Sequence, residues 1–471
     1  MQTIIGNEMN HSNKNASESA NTARLARRKS LFWRIHFWAA LIASPFALIA
    51  VLTGIFYIFT PQIEAALYDH LDQVTPIGAM RPLDDAVAAA SVAAPAGWAL
   101  HSVVPPYKAG DTVKVNVAPM VAKISEHGGH HVDPAKAAPA ARPSFGLPAQ
   151  AMVVYVNPYT AEVVGDLASQ ARFSNWAKQL HSRLLQNDNW RWMIELAASW
   201  LMVMLLTGIS LWWPRSGQKG LPQSGAKGRP AWQQWHSFIG VALAVMSLTV
   251  LTTGLTWSKY AGDQIRTLRD SIGQAPPPVP QHLKSTALAG TAPLTWQAAW
   301  EFTRRQAPDV MLQLTPPRGQ QGTWRAAAAD RGQPEKRFDL VLDAYSGQSL
   351  YYAGWDKQTL FAKATAIGIP FHRGEFGWWN QALLLLFGIG VLFSLVSGWV
   401  MFFKRRQPGS LGFPRLLPGA WKSPSLVSWL TAAVLCIAMP LLALSATMVL
   451  ALEVAIHQFW RHRTAASNTS T

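Results

Sequence analysis

The chain alternates between long uncharged stretches and polar segments of mixed pattern. Five stretches contain no Asp, Glu, Lys or Arg: Phe37–Thr60, Leu196–Trp213, Ser237–Trp257, Phe376–Phe403 and Pro424–Leu452. Each is at least 18 residues long. At about 1.5 Å per residue, that length crosses a hydrocarbon core of roughly 30 Å. The pattern predicts five transmembrane helices, over residues 31–60, 174–213 (with an outer extension), 232–257, 372–403 and 424–452. The two long segments between them, 61–173 and 258–371, have short-period patterns instead. Pro82–Ala94 reads as a helix, and Thr112–Ala118, Met152–Val156 and Glu162–Gly165 as strands, the last two joined by the turn Asn157-Pro158-Tyr159-Thr160. The second segment repeats the plan. Thr295–Gln306 reads as a helix, Trp324–Ala329 and Arg337–Leu342 as strands, and Asp343-Ala344-Tyr345-Ser346-Gly347 as a turn. A unit of helix, outer module and helix therefore occurs twice. The expected fold is a mainly α integral membrane protein. It comprises a duplicated helical hairpin bundle, a fifth transmembrane helix and two outer α+β modules.

Charge orients this plan. Basic residues crowd the segment before the first span (Arg24, Arg27, Arg28, Lys29, Arg34). They also fill the loops at 214–231 (Arg215, Lys219, Lys227, Arg229) and 404–423 (Lys404, Arg405, Arg406, Arg415, Lys422). These three segments carry most of the chain's net charge of +16. An excess of Lys and Arg marks the cytoplasmic side, so the N-terminus is expected in the cytoplasm of a bacterial-type inner membrane and both α+β modules in the periplasm. The C-terminal tail, 453–471, is then expected outside, although Arg461, His462 and Arg463 run against the rule. Anionic lipid headgroups account for the basic balance, and no nucleic-acid partner is needed. The polar segment 1–30 is expected to be a disordered tail, and the His-, Ala- and Pro-rich stretch 125–144 a flexible insertion. Cys436 is the single cysteine, which excludes an intrachain disulfide and covalent haem attachment through Cys-x-x-Cys-His.

Four histidines carry the candidate chemistry. His36 and His236 each open an uncharged run and each stand 18 residues before the Gly of a Thr-Gly pair, Gly54 and Gly254. His181 and His372 stand 32 and 31 residues before the far ends of runs in the opposite direction, Trp213 and Phe403. The first pair is expected level near the inner face, and the second level at or just above the outer interface. Two facing imidazoles make a six-coordinate haem iron suited to electron transfer. Two such pairs would form an electron path through a bilayer. With no cysteine for attachment, ligation, apolar packing and propionate salt bridges would hold each haem. Trp33, Trp38, Trp232 and Trp235 flank the inner pair, and Trp176, Trp378 and Trp379 the outer. Arg34, Arg183 and Arg373 lie close enough in sequence to a histidine to be candidate propionate partners. Taken singly, each histidine also suits an ordinary interfacial position in an aromatic and basic belt; the matched pairs favour ligation.

Other features narrow the reading. His127, His130, His131 and Asp133 are a weaker candidate for a transition metal. The Gly of Thr53-Gly54, Thr207-Gly208, Thr253-Gly254 and Ser397-Gly398 is expected to allow close helix approach. No P-loop or dinucleotide fingerprint occurs, and both inner loops are too short for a flavin or nicotinamide domain. Electrons would arrive from a membrane quinol or a separate cytoplasmic reductase. Two other classes stay open. One is a non-enzymatic binding or regulatory protein, which would show no haem absorption band. The other is an iron or chelate transporter, which would need polar groups at mid-membrane.

The motifs Trp33-Arg34-Ile35-His36, Asn157 to Gly165, Leu180-His181-Ser182-Arg183, Trp235-His236, Asp343 to Gly347 and Phe371-His372-Arg373-Gly374 together resemble the PepSY-associated transmembrane family, often described as iron-regulated membrane proteins. The likeness covers roughly Arg24–Arg406. Asn157 and Ala161 depart from the Asp and Gly frequent in the family's first turn, and the 125–144 insertion is a further departure. The resemblance implies periplasmic PepSY modules and two non-covalent b-type haems, with His36 and His236 ligating one and His181 and His372 the other. It also implies reduction of a ferric siderophore or similar ferric chelate for iron release.

Overall fold

The computed structural model describes residues 2–120, 150–213, 220–287, 290–410 and 412–468. The expected flexible insertion, with His127, His130, His131 and Asp133, lies outside them. The chain divides into two compact units.

One unit, residues 56–179 and 269–381, holds the α+β segments. Its strands are β1 (Trp98–Val104), β2 (Val113–Pro119), β3 (Met152–Val156), β4 (Val163–Ala168), β5 (Leu312–Thr315), β6 (Thr323–Ala328), β7 (Asp339–Asp343) and β8 (Ser349–Ala353). They form one antiparallel sheet in the order β4-β3-β2-β1-β5-β6-β7-β8. Two separate modules were expected; instead the repeats join through β1 and β5, with Val103 opposite Leu314. β1 does not alternate cleanly, and β5 alternates over only four residues, Leu312 to Thr315. Pairing them removes two open edges, whose unpaired N–H and C=O groups would otherwise face water or a second chain.

The two repeat helices, α3 (Leu83–Ala93) and α9 (Trp296–Gln306), lock the same junction. The Asp84 carboxylate accepts from Trp296 N and Gln297 N at 2.9 and 3.0 Å, while Gln297 Oε1 accepts from Leu83 N at 3.0 Å. Each helix thus supplies acceptors to the orphan N–H groups that open the other. One continuous core lies beneath, with Leu83, Val87, Val103, Val115, Val154, Leu314, Trp324 and Leu340 all buried.

The two turn motifs have diverged in a measurable way. In the second repeat, Asp343 Oδ1 accepts from Tyr345 N, Ser346 N and the Ser346 hydroxyl, and Gly347 takes φ of 71°. In the first, Asn157 Oδ1 accepts from Tyr159 N, and Ala161, at the same offset as Gly347, is held at φ of 59°. A Cβ in that left-handed region costs about 1–2 kcal/mol, part of which glycine's greater freedom in the unfolded chain gives back. Ala161→Gly is therefore expected to stabilise this unit by about 1 kcal/mol, a rise of roughly 3 °C in midpoint for a domain of this size. Thermal unfolding followed by circular dichroism checks it; a lower midpoint would contradict the strain.

The other unit, residues 1–55, 180–268 and 382–471, holds the apolar helices. Three helices are long and apolar enough to cross a membrane: Glu18–Ile58 within α1 (Gln2–Ile58), Asp188–Trp212, which contains α5 (Trp192–Trp212), and α11 (Trp378–Arg405). The expected third span is two helices, α6 (Gly228–Ala242) and α7 (Ala244–Leu255), bent by 58° at Leu243. Leu243 packs there into the notch that Gly390 leaves on α11. The protein is thus a multi-pass membrane protein of three to four spans before its C-terminal segment. Pro45 sits inside an unbroken α1 rather than ending it, and α1 extends back through the polar tail expected to be disordered. That tail contains no proline, and only Gly6 among the poorest helix formers.

The fifth span departs furthest from expectation. It is a returning pair, α12 (Leu426–Ala438) and α13 (Pro440–Asn468), broken at Met439. Pro440 cannot donate a backbone bond to α12, and it opens the next helix, where its missing N–H is harmless. Before α12, Pro414 O accepts from Arg34 and Leu417 N donates to Ser30, at the end of α1 that carries His36. Within α13, Trp200 Nε1 donates to Ser445 at 2.9 Å, and further on Glu453 takes a two-pronged ion pair from Arg34 at 2.7 and 2.8 Å and a hydrogen bond from Trp38. The chain therefore leaves the His36 level and comes back to it. The C-terminal tail, expected on the opposite face, follows a helix whose Glu453 stands beside the start of the first span. This path also removes the conflict posed by Arg461 and Arg463.

Candidate functional site

The structure brings His36 and His236 together. Their rings lie 6.4 Å apart, centre to centre, with planes at 85°. They come from different helices, α1 and α6, as the repeat requires.

Each ring lies beside a hydroxyl of a different apolar helix, the second span for His36 and α11 for His236. His36 Nδ1 is 3.1 Å from Thr207 Oγ1 on α5, and His236 Nδ1 is 2.8 Å from Ser397 Oγ on α11. Each hydroxyl spends its one proton on its own helix. Thr207 donates to Val203 O at 2.7 Å, and Ser397 to Ser394 O at 3.0 Å. A hydroxyl has a single hydrogen and two lone pairs, so with that hydrogen on its own helix each oxygen is left to accept from Nδ1–H. Each ring also hydrogen-bonds backbone of the same helix, at Met204 and Ser394. This arrangement favours the proton on Nδ1 in both rings. In the neutral imidazole that leaves Nε2 with its lone pair, the form that binds metal.

Glycines complete the fit. A Cβ at Gly208 would stand 3.3 Å from His36 Cε1, and one at Gly398 would stand 3.8 Å from His236 Cε1. Both imidazoles lie against helix backbone; a Cβ would press on the ring at Gly208 and meet it in ordinary contact at Gly398. These Thr-Gly and Ser-Gly pairs were expected to serve helix packing; in the structure they face the histidines. The signal was present in the sequence, since a hydroxyl residue precedes the glycine in all four helices.

His181 uses the same device. It lies on α4 (Phe173–Arg183), which ends before α5 begins, so it is not carried on a continuous extension of the second span. Its Nδ1 is 3.0 Å from Thr53 Oγ1, Thr53 donates to Ile49 O at 2.7 Å, and a Cβ at Gly54 would stand 3.4 Å from its Cε1. Thr53 is 17 residues along α1 from His36, or about 26 Å of helix. The two levels inferred from sequence are therefore present on α1 itself, one at His36 and one at Thr53.

His372 belongs to the sheet-bearing unit, in the last turn of α10 (Leu360–Arg373). Gly374, at φ of 75°, ends that helix, so His372 stands outside the span expected over 372–403, whose helix α11 starts at Trp378. Arg373 donates to Tyr57 Oη and pairs with Glu375, both at 2.9 Å.

The neighbouring aromatic and basic residues serve other contacts. Arg34 is taken by Glu453 and Pro414 O, so the propionate role expected of it is filled by a helix-to-helix ion pair. Arg183 pairs with Asp188. Trp33 lies under the Arg405 guanidinium at 4.8 Å, and Trp235 is half exposed beside Phe238. Trp232 stacks on Phe393. Among the described residues, no three His, Cys, Asp or Glu side chains converge on a metal-sized centre.

The pair fits a haem iron. With metal–nitrogen bonds of about 2.0–2.1 Å, as imidazole makes to zinc, two imidazoles sharing one iron have ring centres about 6.3 Å apart. A two-histidine site also needs its remaining ligands from elsewhere, and a porphyrin supplies four. No individually characterised relative matches the chain significantly. The description of the PepSY-associated TM region matches residues 33–405. That match takes in both repeats and all four histidines, and the chain belongs to this family.

Proposed function

We propose that the protein is a two-haem electron carrier of the bacterial inner membrane that reduces a ferric chelate, such as a ferric siderophore, in the periplasm. The observation that supports this most directly is the His36–His236 pair, two imidazoles from different helices with rings 6.4 Å apart and each Nδ1 beside a hydroxyl. A haem held there would supply a one-electron redox centre. His36 and His236 would hold its iron, Thr207 and Ser397 would orient the two rings, and the apolar helices would keep water from the centre. The second haem is assigned to His181 and His372 from the sequence repeat, with Arg183 and Arg373 near it in sequence. Reduction favours release because oxygen-rich chelators hold the more highly charged ferric ion more tightly. The electron enters from a quinol or a separate cytoplasmic reductase.

By the positive-inside rule, the His36 end faces the cytoplasm. The returning α13 then puts both termini there. Purified protein is expected to show a Soret band, two haems per chain, and oxidation of the dithionite-reduced protein by a ferric chelate with one ferrous ion formed per electron. A fluorescent protein fused to the C-terminus is expected to light up, as it does in the cytoplasm. Colourless protein refutes the haem reading and favours a binding role. A dark fusion with a periplasmically active phosphatase fusion refutes the orientation.

A further inference from the structure

The hydroxyl–glycine pairs have a task of their own. Three of the four occur in the same geometry within one unit: Thr207-Gly208 against His36, Ser397-Gly398 against His236, and Thr53-Gly54 against His181. Helix packing alone does not require the residue before a glycine to carry a hydroxyl. Nor does it require that hydroxyl to reach an imidazole nitrogen at 2.8–3.1 Å in every case.

We propose that these pairs are positioning residues that set both the tautomer and the electron-donating strength of each histidine toward iron. This rests on the haem reading above. The hydroxyl oxygen accepts the Nδ1 proton and so fixes Nε2 as the ligating atom. The glycine lets the ring lie against the helix, so the hydroxyl is reached without the ring tilting.

The choice of a hydroxyl has an electronic consequence. A carboxylate bonded to Nδ1–H would draw the proton strongly, leave the ring closer to imidazolate and favour ferric iron. A Thr or Ser oxygen, already donating its own proton to a carbonyl, is a milder acceptor. It gives a defined tautomer with only a modest push of electron density. That holds the potential above the value a carboxylate partner would set and below the value of a ring with no acceptor. Thr207 and Ser397 act on opposite axial ligands of one iron, so either one alone should move the potential of the same haem.

The test is a spectroelectrochemical titration of the full-length, haem-loaded protein and its variants. Thr207→Val keeps the shape and removes the acceptor. It should raise one of the two midpoint potentials, by about tenfold in the reduction equilibrium, or about 59 mV for a one-electron couple. Ser397→Ala should shift the same haem in the same direction. Thr207→Ser should stay at the wild-type potential, and the second haem should not move. Thr53→Val should shift only that second haem. An unchanged potential in Thr207→Val with both haems retained overturns the proposal, as does an equal shift in Thr207→Ser. Colourless wild-type protein would refute the haem reading on separate grounds. The cradle would then be tested in the same chain by 15N resonance of labelled histidine. His36 is expected to carry its proton on Nδ1, and a proton on Nε2 in the wild type would overturn the proposal.

Discussion

Replacing His36 or His236 by alanine is expected to halve the haem content, from two per chain to one. Either change removes one of the two imidazoles whose rings stand 6.4 Å apart and which, on the proposed reading, would share one iron. A single remaining imidazole leaves the iron five-coordinate and held by one bond and apolar contact. His181→Ala or His372→Ala should deplete the other haem and spare this one. The two losses should differ spectrally, because His36 and Thr53, the residue beside His181, stand about 26 Å apart along α1 and the two histidine sites have different neighbours. The haem-to-protein ratio by pyridine haemochrome, with reduced-minus-oxidised spectra of each variant, measures this. The same haem lost in His36→Ala and His181→Ala would break the assignment into levels. His36→Ala with both haems intact would remove His36 as a ligand. In either singly loaded variant, electron delivery to a ferric chelate from the cytoplasmic side should fall by orders of magnitude, since the path would be interrupted at one level.

The second large effect concerns the sheet-bearing unit. Arg172 bridges α2 (Thr60–Asp72) to the sheet. Its guanidinium donates to Asp72 at 2.6 Å, Glu64 at 3.1 Å and Tyr155 Oη at 2.8 Å, and lies 5.1 Å over the Tyr68 ring. Lys114 adds a second cation to Asp72 at 2.7 Å. Arg172→Ala leaves two carboxylates and a phenol crowded together without their shared cation. Breaking a fully buried network of this kind costs about 3–5 kcal/mol. Here the Arg172 side chain is 21% exposed and the carboxylates 16–18%, so about 2–3 kcal/mol is the expected loss.

The same cluster fixes an acid limit. Burial works against the Asp72 carboxylate, but hydrogen bonds from Arg172 and Lys114 more than offset it and hold its pKa below the ordinary carboxylate value. A depressed pKa in the folded state adds stability that is whole above the unfolded value, near pH 4, and is lost as pH falls through the folded one. Wild-type protein should therefore lose stability below about pH 4, and Arg172→Ala should show a flatter acid limb. Thermal midpoints between pH 3 and 7 check both. An unchanged neutral midpoint in Arg172→Ala would show the network to be a surface feature of little weight.

Much of the architecture was legible along the chain. Uncharged runs of 18 or more residues marked the spans, because a backbone in hydrocarbon must satisfy its own hydrogen bonds and excludes charge. Short strand-like runs bounded by turns gave β2, β3, β4, β6 and β7. That reading missed β1 and β8, whose residues do not alternate cleanly, and β5, which alternates over only four residues. The duplication gave matched histidines, and equal offsets of 18 residues to the Gly of a Thr-Gly pair put His36 level with His236.

What the sequence determined by itself is the set of segments and the residues able to ligate, since both follow from local composition and spacing. Tertiary structure decided how they combine. The merger of two modules into one sheet depends on which open edges meet, and no local pattern records that. The return of α13 toward Arg34 depends on Glu453 finding a cation 419 positions away, where a run of apolar residues reads equally well as a single span. The tautomers of His36, His236 and His181 depend on hydroxyls that lie far off in the chain and adjacent only in space. Long-range contacts of this kind are fixed by the burial of charge, edges and polar hydrogens, and those costs are felt only once the chain is folded.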